Sequence, residues 1–245
     1  MRRPIVLSAA AAVAALAVHA AAAAATCEAV SRPLLTPVIE LYTSEGCSSC
    51  PPADKWLSTL KPAAREGRVV AMAFHVGYWD QLGWVDRFAL GANTARQREI
   101  ASANKIGSIY TPQLVRNGRD WRDYEAALLL RAEPAHARIQ LAQVQPDLVE
   151  ATVEPVQAGQ SWAAYWTVTE DGHASKVKAG ENAGEFLQHD FVVRQYVPTG
   201  PRSGTQKLQL RLVPPDGSTP RATNLVVVDP ATQRPLQALR LSCQG

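Results

Sequence analysis

Residues 37–54 read PVIELYTSEGCSSCPPAD. The opening PVIELYT is β-branched and mostly apolar, which predicts a strand over 37–43. Cys47 and Cys50 follow at once, separated by Ser48 and Ser49. Residues 52–60, PADKWLSTL, place Trp56, Leu57 and Leu60 on one helical face, and Pro62 is expected to end that helix. Residues 69–75, VVAMAFH, form a continuous apolar run, the pattern of a strand buried on both faces of a parallel sheet. The first unit therefore reads β-α-β, with a CxxC pair at the strand-to-helix junction.

Residues 76–90 break this pattern with a loop-like stretch rich in aromatics, including Tyr78, Trp79, Trp84 and Phe88. Residues 92–104 predict a surface helix. A short strand, QLVR, follows Tyr110-Thr111-Pro112, and Asn117-Gly118 is a hairpin turn signal leading to a strand near 119–121. Asp123 is placed to cap a helix running to about Ala132, with Tyr124, Ala127, Leu128 and Leu130 available for burial. The order β-α-β, helix, β-β-α is that of thioredoxin. The predicted fold is thus α/β, a thioredoxin-like domain over 35–134 followed by a β-rich antiparallel sheet or sandwich over 135–245. Six alternating or β-branched runs support the second part, at 138–145, 148–154, 161–169, 206–213, 222–229 and 235–242. Gly- and Pro-rich turns separate them.

The N-terminus reads as an export signal. Arg2-Arg3 precede an apolar stretch to about Ala17, too short for a confident span, and Ala23-Ala24-Ala25 offer small residues for cleavage. Residues 1–25 are therefore expected to be a signal peptide, with a periplasmic or secreted product and no membrane association after cleavage. Losing Arg2 and Arg3 from 25 basic against 22 acidic residues leaves a net charge near +1. That balance gives no electrostatic footprint for nucleic acid.

All four cysteines survive such cleavage and meet an oxidising compartment. Cys47 and Cys50 are the natural pair for chemistry. The attacking species in disulfide exchange is the thiolate, and a helix N-terminus favours it through unpaired N–H groups and the helix dipole. Cys47 is assigned the attack and Cys50 the resolution of a mixed disulfide. No cofactor is implied. The expected partners are thiols or disulfides of exported proteins, and the sequence does not fix an oligomeric state. Two alternatives stand beside this reading. One is a copper or zinc module using Cys47, Cys50 and His75. The other is a non-catalytic interaction scaffold. Cys27 and Cys243, near the two ends, lack any context that would lower a thiol pKa, so they are expected to form a structural disulfide.

Five blocks resemble the bacterial domain-of-unknown-function 1223 family. They are VIELYTSEGCSSCPPAD (38–54), AFHVGYWDQLGW (73–84), TARQ (94–97), YTPQLVRNG (110–118) and GENAGEFLQHDFVVR (180–194). The resemblance spans about Pro37 to the C-terminus and implies a thioredoxin-like fold and a secreted location, with no established substrate. Two departures are visible. The family commonly has an acidic residue where this chain has Gly77, and Pro51-Pro52 is unlike ordinary thioredoxins. In thioredoxin-like proteins the proline matching Pro112 is cis and faces the dithiol. Those proteins also carry a buried acid near the position of Glu40, which suggests Glu40 as proton acceptor for Cys50, against a purely structural glutamate. His75 reads as a hydrogen-bonded structural histidine. Trp79 and Trp84 read as core or as the rim of a substrate groove. His189 and Arg194 are expected at the interface between the two parts.

Overall fold

A computed structural model describes residues 27–128 and 132–243. The expected signal peptide, residues 1–25, lies outside them, as do residues 129–131 of the helix expected after Asp123. Among the described residues no helix is long and apolar enough to cross a membrane.

The N-terminal half supplies β1 (Cys27–Val30), β2 (Val38–Thr43), α1 (Pro51–Ser58), α2 (Lys61–Arg65), β3 (Val70–His75), α3 (Gly91–Ala103), β4 (Gln113–Arg116) and β5 (Arg119–Trp121). The rest supplies β6 (Ala137–Gln145), β7 (Leu148–Pro155), β8 (Ser161–Glu170), β9 (His173–Lys176), β10 (Phe186–His189), β11 (Val192–Ser203), β12 (Gln206–Arg211), β13 (Arg221–Val228) and β14 (Pro235–Leu241). Short 3-10 turns stand at Asp80–Leu82 and Glu125–Leu128.

The expected α/β, thioredoxin-like class is overturned. Among the described residues strand accounts for 44% and helix for 15%, so the described part is mostly β. One eight-stranded mixed sheet, in the order β14-β13-β8-β11-β3-β2-β4-β5, takes strands from both halves of the chain. β3 is parallel to β2 on one side and meets β11 in parallel at Val192 and Ala73 on the other. The edge that a free-standing first domain would leave open is thereby closed, and the Ala73 amide donates to the Phe191 carbonyl at 2.8 Å.

α3 has the expected length, while α1 starts one residue earlier than expected and stops at Ser58. Pro51 and Pro52 open α1, and Pro62 opens α2 rather than closing α1. Proline suits a first helical turn, where no N–H is needed. The longest strand, β11, was absent from the sequence reading because Pro198, Gly200 and Pro201 look like turn signals. The strand absorbs them with irregularities between Val193 and Gln195 and between Thr199 and Arg202.

A second sheet, β1-β6-β7-β12, covers one end of the large sheet. Ile139, Leu141 and Val153 of the small sheet pack against Trp162, Trp166 and Leu225 of the large one. Cys27 and Cys243 form a disulfide with Cα atoms 5.7 Å apart, as expected, and it staples β1 to the segment after β14.

At the other end of the large sheet, Ile39 and Leu41 of β2 face Ala53 and Leu57 of α1. Side chains alternate across a strand, so Val38, Glu40 and Tyr42 face the opposite side, where Ile100 of α3 and Tyr165 of β8 pack. The expected surface helix α3 thus has a buried face, but a polar one that includes Asn93, Arg96 and Gln97. The Asn117-Gly118 turn has φ of 48° and 74°, as a two-residue hairpin of this hand requires.

Candidate functional site

The site grows from the C-terminal end of β2. Thr43 ends the strand, and residues 44–50 turn back into α1. Local hydrogen bonds fold this loop. The Cys47 amide donates to Ser44 O at 3.1 Å, and the Cys50 amide donates to Cys47 O at 3.1 Å. Gly46 is needed because Trp79 packs on it: a Cβ there would stand 2.9 Å from Trp79 Cβ.

Cys47 and Cys50 form a disulfide with Cα atoms 5.4 Å apart. Cys47 is 1% exposed and Cys50 is 0% exposed, while Ser48 and Ser49 between them face solvent. The Ser49 hydroxyl donates to Cys47 Sγ at 3.4 Å. Cys50 occupies the N-cap of α1. The helix start does not supply the free amides that the sequence reading expected. Pro51 and Pro52 have no N–H, and the amides of Ala53 and Asp54 both donate to Cys50 O, at 2.9 and 3.1 Å.

A segment distant in sequence clamps the loop. β9 and β10 pair as a separate hairpin, and the residues between them reach the dithiol. Asn182 Nδ2 donates to both Glu45 O (2.9 Å) and Cys47 O (3.0 Å). Glu181 Oε2 accepts from the Ser48 amide at 3.0 Å. Their GENAG block was part of the family resemblance, but nothing in its composition pointed to a structural role against the cysteines.

Behind the loop lies a group of buried titratable side chains. Glu45 accepts from Trp84 Nε1 at 2.7 Å and pairs with His189 Nε2 at 3.1 Å. Burial pushes the Glu45 carboxyl up, but hydrogen bonds from His189, Ser175 and Trp84 hold it below its ordinary range. Asp86 pairs with His75 Nδ1 at 2.7 Å and also accepts from the Glu45 amide at 3.0 Å. Burial disfavours both charges, yet the pair wins: His75 is raised and Asp86 is lowered. The His75 and His189 rings meet edge to face at 4.9 Å. Among the described residues, His75 Nε2 and His189 Nδ1 have no hydrogen-bond partner.

Asp54, one turn into α1, is the other buried acid. Its carboxylate accepts from Thr43 Oγ1 at 3.0 Å, and burial raises its pKa. It also lines a cleft of about 460 Å³ between α1 and β10, shared with Ser48, Pro51, Lys55, Glu181 and His189. The sequence reading passed over Asp54. Its spacing of four from Cys50, which places both on one helical face, was the available signal.

The remaining expected site residues fall in different places. The Thr111–Pro112 bond is cis, as expected. Trp79 links that segment to the dithiol loop, packing on Gly46 while its Nε1 donates to Thr111 Oγ1 at 2.8 Å. Glu40 is buried but lies on the sheet face away from α1, so it is not under Cys50. Its carboxylate accepts from Tyr42 OH (2.6 Å) and Tyr165 OH (2.5 Å) and pairs with Arg96 at 3.0 Å. The strand alternation that buries Ile39 and Leu41 against the helix forces this, and the structural reading of Glu40 prevails. The copper or zinc set of Cys47, Cys50 and His75 is not assembled: among the described residues no group of three or more His, Cys, Asp or Glu is arranged to hold a metal. Arg194 lies apart from the cysteines, 3.5 Å from Glu170.

Two solved structures resemble this fold. One is protein AGR_C_4864 from Agrobacterium tumefaciens, 23% identical, with a TM-score of 0.65 over 86% of this chain and 96% of that one. The other is HBP35 of Porphyromonas gingivalis, 13% identical, with a TM-score of 0.62 over 86% of this chain and 76% of that one. At these identities the likeness is one of fold. No curated protein matches the chain. The model of a protein family of unknown function, DUF1223, matches residues 38–228, a span that holds the dithiol, its clamp and the buried acids behind it. The chain belongs to the DUF1223 family.

Proposed function

We propose that this chain is an exported thiol–disulfide oxidoreductase whose redox pair is Cys47–Cys50, acting on thiols or disulfides of other exported proteins. The observation that carries the reading is the setting of that pair. A closed CxxC disulfide is buried next to a cleft lined by its neighbours Ser48 and Pro51, with buried titratable groups behind it and the exposed Ser48-Ser49 in front. An ordinary structural cystine needs no such surroundings. Export is supported by the leader-like residues 1–25 and by two disulfides, bonds that persist in oxidising compartments.

In the oxidising direction, a partner thiolate attacks Cys47 Sγ and the Cys47–Cys50 bond breaks. The electron pair leaves on Cys50. A second partner thiolate then displaces Cys47, leaving a partner disulfide and a Cys47/Cys50 dithiol. Reduction of a partner is the reverse. Cys47 is the exchanging sulfur because it adjoins the exposed serines, whereas Cys50 is fixed at the start of α1. Both sulfurs are covered in the closed state, so exchange requires the loop to lift from Asn182 and Glu181. Pro112, next to the Trp79-bonded Thr111, is assigned the presentation of backbone to the incoming chain.

Trapping in the cell tests this. With Cys50→Ala, mixed disulfides should accumulate at Cys47 and vanish in the Cys47→Ala/Cys50→Ala double variant. If the Cys50→Ala protein carries only a free thiol and no partner, the reading fails.

A further inference from the structure

Breaking a disulfide at Cys50 poses an electrostatic problem. The leaving thiolate is created at a residue with 0% exposure, where water cannot solvate it. Burial in apolar surroundings raises a thiol pKa. A helix N-terminus commonly relieves this with free amides, but here Pro51 and Pro52 have none. The next two amides are taken by the carbonyl of Cys50 itself. A side chain that gives the Cys50 sulfur a proton, and takes it back when the disulfide re-forms, would remove this cost.

We infer that Asp54 exchanges a proton with the Cys50 sulfur, giving it up when the Cys47–Cys50 bond opens and taking it back when Cys50 closes the bond. This rests on the oxidoreductase reading above and names the proton carrier for it. Cys50 at the N-cap has helical dihedrals, so Asp54 four residues on shares its face of α1, with Cβ atoms about 5–6 Å apart. Asp54 is 7% exposed and lines the cleft, so it is withdrawn from bulk water yet has a route to it. Thr43 Oγ1 is its hydrogen-bond donor, fixing one carboxyl oxygen, Oδ2.

The charged and titratable groups around Asp54 come from every neighbouring element. His75 of β3 and His189 of β10 favour its ionised form, and Asp86 after β3 opposes it. Tyr124 after β5 feels its charge. Glu45 is bonded to His189, and Lys55, Glu181, Glu185 and Asp190 line the same cleft as Asp54. Burial outweighs the two histidines, so Asp54 holds its proton to higher pH than an ordinary aspartate. A carboxyl that can both give and take a proton serves both directions of exchange.

The electron and proton balance closes. In the opening step the partner thiolate forms a bond to Cys47 Sγ, and Cys50 takes the electron pair and the Asp54 proton, leaving an Asp54 carboxylate. In the closing step that carboxylate removes the Cys50 proton as Cys50 attacks the mixed disulfide, and the partner leaves as thiolate.

The test uses the full chain with glutathione as probe. The mixed disulfide of Cys47 with glutathione is formed, and its resolution by Cys50 is followed by stopped flow across pH. In the wild type the rate should rise with pH through an ionisation on the acid side of the thiol's own. In Asp54→Asn that limb should be gone, and resolution near neutral pH should be slower by roughly 100-fold, the usual scale of a general base. An unchanged pH profile in Asp54→Asn overturns the inference while leaving the oxidoreductase reading intact. A wild-type pair that never exchanges with glutathione overturns both. If Asp54→Asn does not fold, infrared difference spectra of the wild type decide the matter. A protonated-carboxyl band that changes between oxidised and reduced protein supports Asp54, and no change in that region overturns it.

Discussion

The two disulfides of this chain are the same bond in opposite settings. Cys27–Cys243 joins residues 216 apart and packs against the apolar core between the two sheets, which includes Trp162, Trp166, Leu225 and Leu241. Cys47–Cys50 joins residues 3 apart and backs onto Glu45, Asp54, His75, Asp86 and His189. The first constrains the chain, and the proposed function gives the second a chemical role on the strength of these neighbours.

The largest expected effect belongs to the long loop. A closure of this length is worth about 5 kcal/mol in the loop-entropy model, so Cys27→Ala/Cys243→Ala should lower Tm by roughly 10–20 °C. Calorimetry checks this, and redox exchange at Cys47 should be unaffected. Next comes the Glu40–Arg96 pair, which tests the same contrast from the far face of the sheet. Glu40→Ala removes the buried carboxylate that faces Arg96 and leaves the guanidinium only Gln233 and the exposed Glu99 at 3.7 Å, a loss of about 3 kcal/mol by denaturant titration. It should leave the pH profile of exchange unchanged, because Glu40 is remote from the sulfurs.

The buried His75–Asp86 pair makes its prediction in pH. His75 is raised, so its contribution to stability is complete below about 6.5, the ordinary histidine value, and is lost as pH rises through its folded pKa. Asp86 is lowered, so its contribution is complete above about 3.9 and is lost as pH falls through its folded pKa. The coupling between His75→Asn and Asp86→Asn in a double-mutant cycle should therefore be greatest between about pH 4 and pH 6.5 and shrink on both sides.

The smaller effects concern the dithiol itself. Cys47→Ala/Cys50→Ala opens a loop worth only about 2 kcal/mol in the same entropy model, less than half the effect of losing the long bridge. Asn182→Ala should cost about 1–2 kcal/mol, because it leaves the Glu45 carbonyl unpaired and takes the second of two donors from the Cys47 carbonyl. It should also raise the rate at which a soluble phosphine reduces Cys47–Cys50. A slower rate would contradict the view that the clamp holds the loop shut.

Much of this contrast was legible in the sequence. The apolar runs gave β2 and β3, the turn-bounded runs gave β6, β7, β8, β12, β13 and β14, and terminal position paired Cys27 with Cys243. The fold class was not legible. Parallel contact between β3 and β11 joins segments more than a hundred residues apart, and local pattern does not encode such pairing. Pro198, Gly200 and Pro201 disguised β11 as a turn. α3 looked like a surface helix because its buried face is built from Asn93, Arg96 and Gln97, which read as solvated until Glu40 supplies a partner. Glu40 itself was placed on the correct strand but on the wrong face, because the acid was judged by distance in sequence from the cysteines. The alternation from Ile39 and Leu41 would have placed it correctly. Asp54 was hidden by its neighbours: in PPAD it resembles a helix-capping aspartate rather than a buried acid.

The central claim is that one of these two cystines is chemically active and the other is not. Equilibrating the folded protein in glutathione buffers of graded potential tests it most directly, with alkylation and peptide mass mapping after each step. The account predicts that Cys47 and Cys50 become alkylated together at a potential where the protein remains folded and Cys27–Cys243 stays closed. If Cys47–Cys50 resists reduction until the protein unfolds, or opens only together with Cys27–Cys243, the claim is contradicted.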